Sequence, residues 1–425
     1  MDSAAAVLGR RLLDEVHEEG LDELLHDLRT QHLSPNDNGT NHPVLGVKYI
    51  DDLLDIFLNR GSAPCQGPST ADHSSSESPT VPRLSSSRSQ QYKLPVLEIS
   101  SPNSGGGKSQ LVYYLAAVSV LPSTFKGRTT GGRDGAVVLL DTDGKLEVKR
   151  LYQIAEGVVW NNLRANLKVT EETTTERVLS EQDIKSLLHD SLQHVHIFRP
   201  QTSLSLLATL KTLGKYLLDV TRHHSATRPL HAILLDSASA FYWQDRMRDE
   251  VARTEEIGRS AADITHDREQ RKKFHMSVLY RELVVELRRI QSIFDCSIIY
   301  TTWGLFRAPS DRNVAYAHLW AGPPSFKPHL PSPWGTFPTL RLVVQRDAVR
   351  SYPVTATLKE MERDAPIRQG VVRQGKFSAW IDTWGKDDWP PAVLSALRNM
   401  PENGGFPFWI RADGVFMDDL MADVI

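Results

Sequence analysis

Apolar runs rich in β-branched residues alternate with amphipathic stretches through the middle of the chain. Five such runs have the length and composition of buried strands, and they cover 94–99, 136–140, 194–198, 232–235 and 297–300. Stretches with helical spacing lie around and between them, over 108–121, 145–167, 203–222 and 246–294. This alternation predicts an α/β fold, with a mostly parallel central sheet and helices on both of its faces.

The two ends of the chain differ from this middle part. Apolar residues recur at helical spacing near the amino terminus, at Leu12, Leu13, Val16, Leu21, Leu24, Leu25 and Leu28. With a second helical piece over 45–60, they predict a short N-terminal helical segment over 1–60. Half of residues 61–92 are Ser, Pro or Gly, which predicts a disordered insert because so little apolar surface can be buried there.

Residues 93–425 are predicted to form one core domain. Near its end, "LRLVVQRDAVRSYPVTATL" and "FPFWIRADGVFMDD" are typical of antiparallel edge strands, and 365–403 is predicted to be an insertion. The chain has 49 basic and 52 acidic residues, a net charge of −3, so any contact with nucleic acid requires a local basic patch. Cys65 and Cys296 lie in unlike contexts, which disfavours a disulfide or a zinc site and favours a reducing compartment.

No secretory signal or membrane-spanning run is evident, so we expect an intracellular protein that does not enter a membrane. The histidines do not have the spacing of a metal site. The positions considered are His194, His196, His223, His224 and His231. The basic run 271–273 is a weak nuclear-import signal and is more typical of a solvated helix face.

The stretch "VLEISSPNSGGGKSQLVYYLAAV" combines a strand, a glycine-rich turn and a helix. In a phosphate loop, glycines turn backbone N–H groups inward, a lysine reaches the phosphates, and a hydroxyl binds Mg²⁺. The residues that supply these features are Ser104, Gly105, Gly106, Gly107, Lys108, Ser109 and Gln110. The usual pattern starts with a glycine, and here Pro102 occupies that position. The alternative is a glycine-rich turn that carries a surface lysine.

Two further strands end in carboxylates. "HAILLDSASAFYWQDR" ends its apolar run at Asp236, which is suited to the metal shell of a phosphate site or to capping the next turn. "GAVVLLDTDGKLEVKRL" ends in Asp141 and Asp143, where one carboxylate could polarise water or either could cap the following helix. The sequence alone leaves these alternatives open.

Taken in order, these segments resemble the RecA-like recombinase superfamily, and more narrowly the eukaryotic recombinase paralogs of homologous recombination. The resemblance extends over about 45–60 and 94–347, with a closing strand in "FPFWIRADGV", and its most specific piece is "LDSASAFYWQDR". It implies a RecA-like P-loop NTPase core with ATP and Mg²⁺ as ligands. By resemblance, Lys108 is the phosphate lysine, Ser109 and Asp236 surround the metal, and Asp143 stands where active recombinases carry a catalytic glutamate.

Three positions depart from that pattern. Asp143 is one methylene shorter than glutamate, which places a base about 1 Å farther from its target and can cost on the order of 100-fold in rate. Trp303 follows Thr302 where a polar γ-phosphate sensor is usual, and an indole can only donate. Pro102 has no N–H. We therefore expect nucleotide binding without efficient hydrolysis, leaving at most a weak DNA-dependent ATPase.

The resemblance also implies partners. The loop after the strand 297–300 contacts single-stranded DNA in this superfamily, and the basic candidates there are Arg307, Arg312 and Lys327, interleaved with aromatic residues. The alternative is that the prolines of this loop fold it onto the protein or onto a partner.

The function implied is DNA repair by homologous recombination in the nucleus. The chain would belong to a heteromeric complex with another recombinase paralog, of the type lettered D, which assists recombinase assembly on single-stranded or branched DNA. The rival function is a DNA-stimulated ATPase or another P-loop phosphotransferase that acts on its own.

Overall fold

The computed structural model describes residues 44–58, 94–169, 179–254, 258, 260, 262, 274–307, 325–347, 349, 352 and 355–418. Most of the predicted N-terminal helical segment, the insert 61–92, Cys65 and Arg312 lie outside these residues. Within them, a nine-stranded sheet has the order β13-β12-β11-β10-β1-β7-β6-β4-β5. Its strands are β1 (Val96–Ser101), β4 (Ala136–Asp141), β5 (Val195–Phe198), β6 (Leu230–Asp236), β7 (Ser297–Trp303), β10 (Leu340–Arg346), β11 (Lys376–Ile381), β12 (Phe406–Arg411) and β13 (Gly414–Phe416).

The strands from β10 to β5 in this order are parallel, and β11, β12 and β13 add antiparallel pairs at one side. Two small ribbons pair β2 (Thr124–Phe125) with β3 (Arg128–Thr129), and β8 (Phe306–Arg307) with β9 (Phe326–Lys327). The predicted α/β class, with a mostly parallel sheet and antiparallel edge strands, is confirmed. One detail was wrong, because β10 pairs in parallel with β1 on one side and antiparallel with β11 only on the other.

Helices cover both faces of the sheet. The helices are α1 (Lys48–Leu58), α2 (Lys108–Val120), α3 (Val148–Val169), α4 (Glu181–Leu192), α5 (Ser203–Leu218), α6 (Tyr242–Thr254), α7 (Met276–Phe294), α8 (Leu358–Gln374) and α9 (Pro391–Arg398). After its polar first turn, the helix α2 is apolar on nearly every side, and Leu111–Val120 are buried except for the half-buried Tyr114, as expected for a helix that packs inside a domain. One core forms around α2, and the second forms beneath α5 and α7 on the opposite face.

Several elements differ from the sequence-based expectation. The described residues of 246–294 lie mostly in two separate long helices, α6 and α7, and α4 was not foreseen although Ser180 and Asp183 form a capping box at its start. The range 365–403, predicted as an insertion, includes the end of α8 and contributes β11 to the central sheet. Sequence periodicity missed this because β11 finds its place only by pairing with β10 and β12, which are distant in the chain.

Candidate nucleotide-binding site

The glycine-rich loop joins the carboxyl end of β1 to the first turn of α2. Gly107 caps the helix with a φ of 96°, in the left-handed region that favours glycine, and no side chain caps this first turn. A Cβ atom on Gly106 would overlap the hydroxyl of Ser101, so the backbone can approach closely only because a side chain is missing. Since no side chain accepts a hydrogen bond from the first N–H groups of α2, these groups are available to bind an anion.

Asp236, at the carboxyl end of β6, lies beside this loop. Its Oδ1 accepts a hydrogen bond from Thr301 Oγ1 at 2.6 Å, and the hydroxyl of Ser109 lies near enough to favour the charged carboxylate. Lys108 lies close enough to interact electrostatically with the same carboxylate. The structure thus brings together a lysine, a hydroxyl and a carboxylate that sequence reasoning placed at one site. The partners of Asp236 are hydroxyls, which agrees with a metal-shell role better than with helix capping.

Burial perturbs both charged groups of this site. It lowers the pKa of Lys108, and the neighbouring carboxylates of Asp236 and Asp143 oppose that shift. It raises the pKa of Asp236, against the effect of the neighbouring Thr301 and Ser109 hydroxyls and the charge of Lys108. In this partly desolvated site, the ammonium of Lys108 would compensate the negative charge of a phosphate, and the carboxylate of Asp236 would compensate the positive charge of Mg²⁺.

The two carboxylates after β4 have different roles. Asp141 is buried, and it accepts hydrogen bonds from the N–H groups of Lys145 and Leu146, both at 3.1 Å, and from Arg199 Nε at 3.1 Å. Asp141 therefore holds the turn that precedes α3, which begins at Val148. Asp143 is only partly buried, lies 3.5 Å from the ammonium of Lys145, and interacts electrostatically with Lys108. Only Asp143 faces the candidate site.

Three successive residues at the end of β7 each bind a different partner. Thr301 faces Asp236, whereas Thr302 donates to Glu98 Oε1 at 2.7 Å on the opposite side of the sheet. The N–H group of Trp303 donates to Ser239 Oγ at 3.0 Å. Sequence reasoning aligned Thr302 and Trp303 with a phosphate sensor and missed Thr301. Side chains alternate along a strand, so the sequence shows that Thr301 and Thr302 face opposite sides of the sheet. The register of β7 with β6, in which Tyr300 lies beside Leu235, then places Thr301 beside Asp236.

A buried carboxylate of β1 was also missed. Glu98 accepts from Thr302 and from the Tyr300 hydroxyl, at 3.2 Å, and lies 3.1 Å from Arg341 Nε of β10. Burial raises the pKa of Glu98 although Arg341 opposes the shift. A glutamate in an apolar strand gives no sequence signal of its partners, since those partners come from β7 and β10.

Gln110, a predicted phosphate-loop residue, is held by an arginine. Arg150 Nε donates to Gln110 Oε1 at 2.7 Å, and the same guanidinium donates to the carbonyls of Ala412 at 2.7 Å and Arg411 at 2.6 Å. Arg150 therefore ties the start of α2 to the turn between β12 and β13. The sequence gives no sign of this contact because its two ends are more than 260 residues apart.

Two of the predicted DNA-contacting residues, Arg307 and Lys327, lie in the β8–β9 ribbon. Arg307 is in β8 and pairs with Phe326, and Lys327 is exposed in β9 with its ammonium 5.9 Å from the centre of the Trp384 ring. Asp382 anchors the start of β9 by accepting from the Phe326 N–H group at 3.2 Å. The ribbon thus begins shortly after the end of β7, the strand that carries Thr301.

Neither a metal cluster nor a membrane helix is found in the described part of the chain. No group of three His, Cys, Asp or Glu side chains there is arranged to hold a metal ion, and no helix there is long and apolar enough to cross a membrane. His194 and His196 instead share the hydroxyl of Ser225, each at 2.9 Å, and Cys296 is a buried free thiol.

Comparison with known proteins agrees with this geometry. No protein-family model matches the chain. The chain is similar to a DNA repair protein XRCC2 homolog of Arabidopsis thaliana, with 23% identity over 278 residues that cover 60% of this chain and 69% of that protein. The sheet order, the glycine-rich loop after β1 and this similarity agree with a RecA-like core, and the chain distantly resembles the XRCC2-type paralogs of the RecA-like recombinases.

Proposed function

We propose that the chain acts in DNA repair by homologous recombination, as one subunit of a nuclear complex of recombinase paralogs. In this proposal it binds ATP and Mg²⁺ as structural or regulatory ligands. The proposal rests on one observation. The side chains of Lys108, Ser109 and Thr301 lie around the carboxylate of Asp236, beside the uncapped N-terminus of α2. The phosphates of ATP would place negative charge at the N-terminus of α2, where an anion is favoured.

The residues fit that ligand. The loop N–H groups and Lys108 would hold the phosphates, and the oxygens of Ser109 and Asp236 would hold Mg²⁺, a hard cation that prefers oxygen ligands. Rapid hydrolysis is disfavoured, because Asp143 is a short carboxylate beside Lys145 and because Thr302 points to the other side of the sheet. A stable ligand of this kind stabilises the fold by mass action.

Calorimetry of the purified chain with ATP and Mg²⁺ tests the nucleotide role. We expect a micromolar dissociation constant, about −8 kcal/mol, that Lys108→Ala weakens at least about 100-fold. Lys185→Ala is the matched control, since Lys185 is a surface lysine paired with Glu181 on α4. Absence of binding by the wild-type chain would contradict the nucleotide role.

Phosphate release with and without single-stranded DNA separates this proposal from the rival ATPase. The observation that favours the rival is the position of Asp143, close enough to Lys108 to act at the same phosphates. We expect release near the background rate and little change when Asp143 is replaced by Asn. Multiple turnovers that DNA accelerates and Asp143→Asn abolishes would establish an enzyme instead.

The DNA and partner roles need separate experiments. Lys327 on β9 is exposed, so we expect Lys327→Ala to lower salt-sensitive binding of single-stranded or branched DNA by the complex with a D-type paralog. Co-purification of the two proteins, and rescue of repair in cells that lack this chain, test the complex. Failure to form any complex with a recombinase paralog would contradict the proposed role.

A further inference from the structure

The helix α6 is oriented with its polar side toward the protein. Its buried positions include Asp245 and Asp249, which are 1% and 8% exposed. Asp245 accepts hydrogen bonds from Ser203 and from the Tyr280 hydroxyl, and Asp249 Oδ1 accepts from the Met276 N–H group at 3.0 Å. Surface helices of globular proteins usually place such residues outward. The inward face of α6 is therefore used for hydrogen bonds to α5 and α7.

The outward face of α6 carries the apolar residues. Trp243, Met247 and Val251 are 50%, 69% and 48% exposed, and their spacing of four residues places them in one stripe. We call these three residues the α6 stripe. Contiguous large apolar side chains on a surface mark interaction sites more often than isolated ones do. The aspartates on the inner side of α6 already have hydrogen-bond partners. The α6 stripe is therefore the apolar face of this helix that stays exposed to solvent.

The exposed charged side chains beside the α6 stripe are mostly arginines. Arg246, Arg248 and Arg253 are exposed on α6, whereas Glu250 is its only exposed carboxylate. Arg246 pairs with Glu250 at 3.0 Å and also lies over the Trp243 ring, and Arg253 pairs with Asp249 at 2.8 Å. A complementary surface would therefore present apolar residues flanked by carboxylates.

The N-terminal part of this chain has that chemistry. Residues 2–33 contain eight acidic and three basic residues, together with leucines at helical spacing. We propose that this N-terminal segment of the same molecule covers the α6 stripe, with its leucines on Trp243, Met247 and Val251 and its carboxylates beside the arginines. This is the recognition mode in which an amphipathic segment lays its apolar side against a partner surface.

The connection is long enough for docking within one molecule. Val44 interacts through its backbone with His231, near the start of β6, and α6 begins six residues after β6 ends. The seven residues of β6 rise about 23 Å. Residues 34–43 can span at most about 35 Å when extended. Extended, the linker is about 12 Å longer than the rise of β6, and docking requires it to pass from the face that Val44 packs on to the face that carries α6.

Hydrogen exchange of the full-length chain tests this docking. We expect amides within 12–28 to exchange about tenfold or more slowly than the unstructured rate in the wild-type protein. Met247→Glu and Arg248→Glu should each remove this protection, because they introduce a negative charge on the contact surface. Ile367→Glu on α8 is the matched control, since Ile367 is 71% exposed on a different helix; it should leave the protection intact.

Each outcome decides the proposal. Protection that both α6 variants abolish, that Ile367→Glu retains and that does not change on dilution supports docking within the molecule. Protection that survives both α6 variants, or the absence of protection in the wild type, overturns it. Protection that falls on dilution also overturns it and assigns the contact to a second copy of the chain. None of these outcomes depends on ATP or DNA, so the proposed function is tested separately.

Discussion

Replacing Thr301 by valine removes one hydrogen bond from the candidate site and leaves the packing nearly unchanged. Thr301 is fully buried, and its hydroxyl donates to Asp236 Oδ1 at 2.6 Å. Valine has the same shape, so no cavity of consequence forms. A hydrogen bond to a charged group contributes about 1.5–3 kcal/mol, and the free energy of unfolding should fall by about 2 kcal/mol at neutral pH.

The pH dependence follows from the raised pKa of Asp236. Because its folded-state pKa lies above the unfolded value, this carboxyl stabilises the fold below the unfolded pKa, and that contribution is lost as the pH rises through the folded pKa. The bond from Thr301 lowers the folded pKa and so limits that loss. Without the hydroxyl, the penalty of Thr301→Val should be largest at pH 7–8. It should shrink to about 0.5–1.5 kcal/mol, typical of a neutral acceptor, once the carboxyl is protonated.

Urea unfolding of wild type and variant between pH 8 and pH 4.5 measures this difference. With a slope of about 3 kcal/mol/M, a loss of about 2 kcal/mol lowers the midpoint by about 0.7 M. Thr209→Val is the matched control, because the Thr209 hydroxyl donates to the neutral carbonyl of Ser205 at 2.8 Å. Its effect should be about 1 kcal/mol or less and should not vary with pH.

Equal losses for the two variants at pH 7.5 would refute this reasoning. So would a Thr301→Val penalty that stays constant from pH 8 to pH 4.5. Either result would mean that Asp236 is not held as a buried carboxylate by Thr301, and the metal-shell assignment would lose its structural support.

Three further results are expected. Arg150→Ala should cost about 2 kcal/mol by releasing the β12–β13 turn and Gln110, and hydrogen exchange should show faster exchange in β12 and β13; unchanged exchange there would contradict it. Burial lowers the pKa of His196 to about 4, so this neutral histidine stabilises the fold above pH 6.5 and that contribution is lost as the pH falls toward 4. His196→Gln should remove up to about 3 kcal/mol of this dependence in urea titrations, and an unaltered pH profile would refute it. Gly106→Ala should weaken ATP binding in calorimetry because the new methyl group overlaps Ser101, and wild-type affinity would show that the loop is not closely packed.

Local patterns were sufficient for much of the fold and part of the site. Strand and helix periods depend on neighbours in the chain, so five of the six parallel strands and the loop before Lys108 could be predicted without the structure. Asp236 was found because a carboxylate at the end of an apolar strand stands out locally. The roles of Asp141 and Asp143 could not be separated in this way, since both follow β4 and only Arg199 and the turn distinguish them.

The sequence by itself determined five of the parallel strands and several of the helices around them, and it placed the glycine-rich loop and a strand-end carboxylate at one edge of a parallel sheet. Only the tertiary structure decided that Thr301 faces Asp236 and that β11 lies inside the sheet. It also decided that α6 turns its aspartates inward and exposes Trp243. The physical reason is the distance along the chain between the residues that interact. Periodicity depends on residues a few positions apart, whereas strand register, side-chain orientation and strand pairing depend on contacts between segments that are distant in the chain.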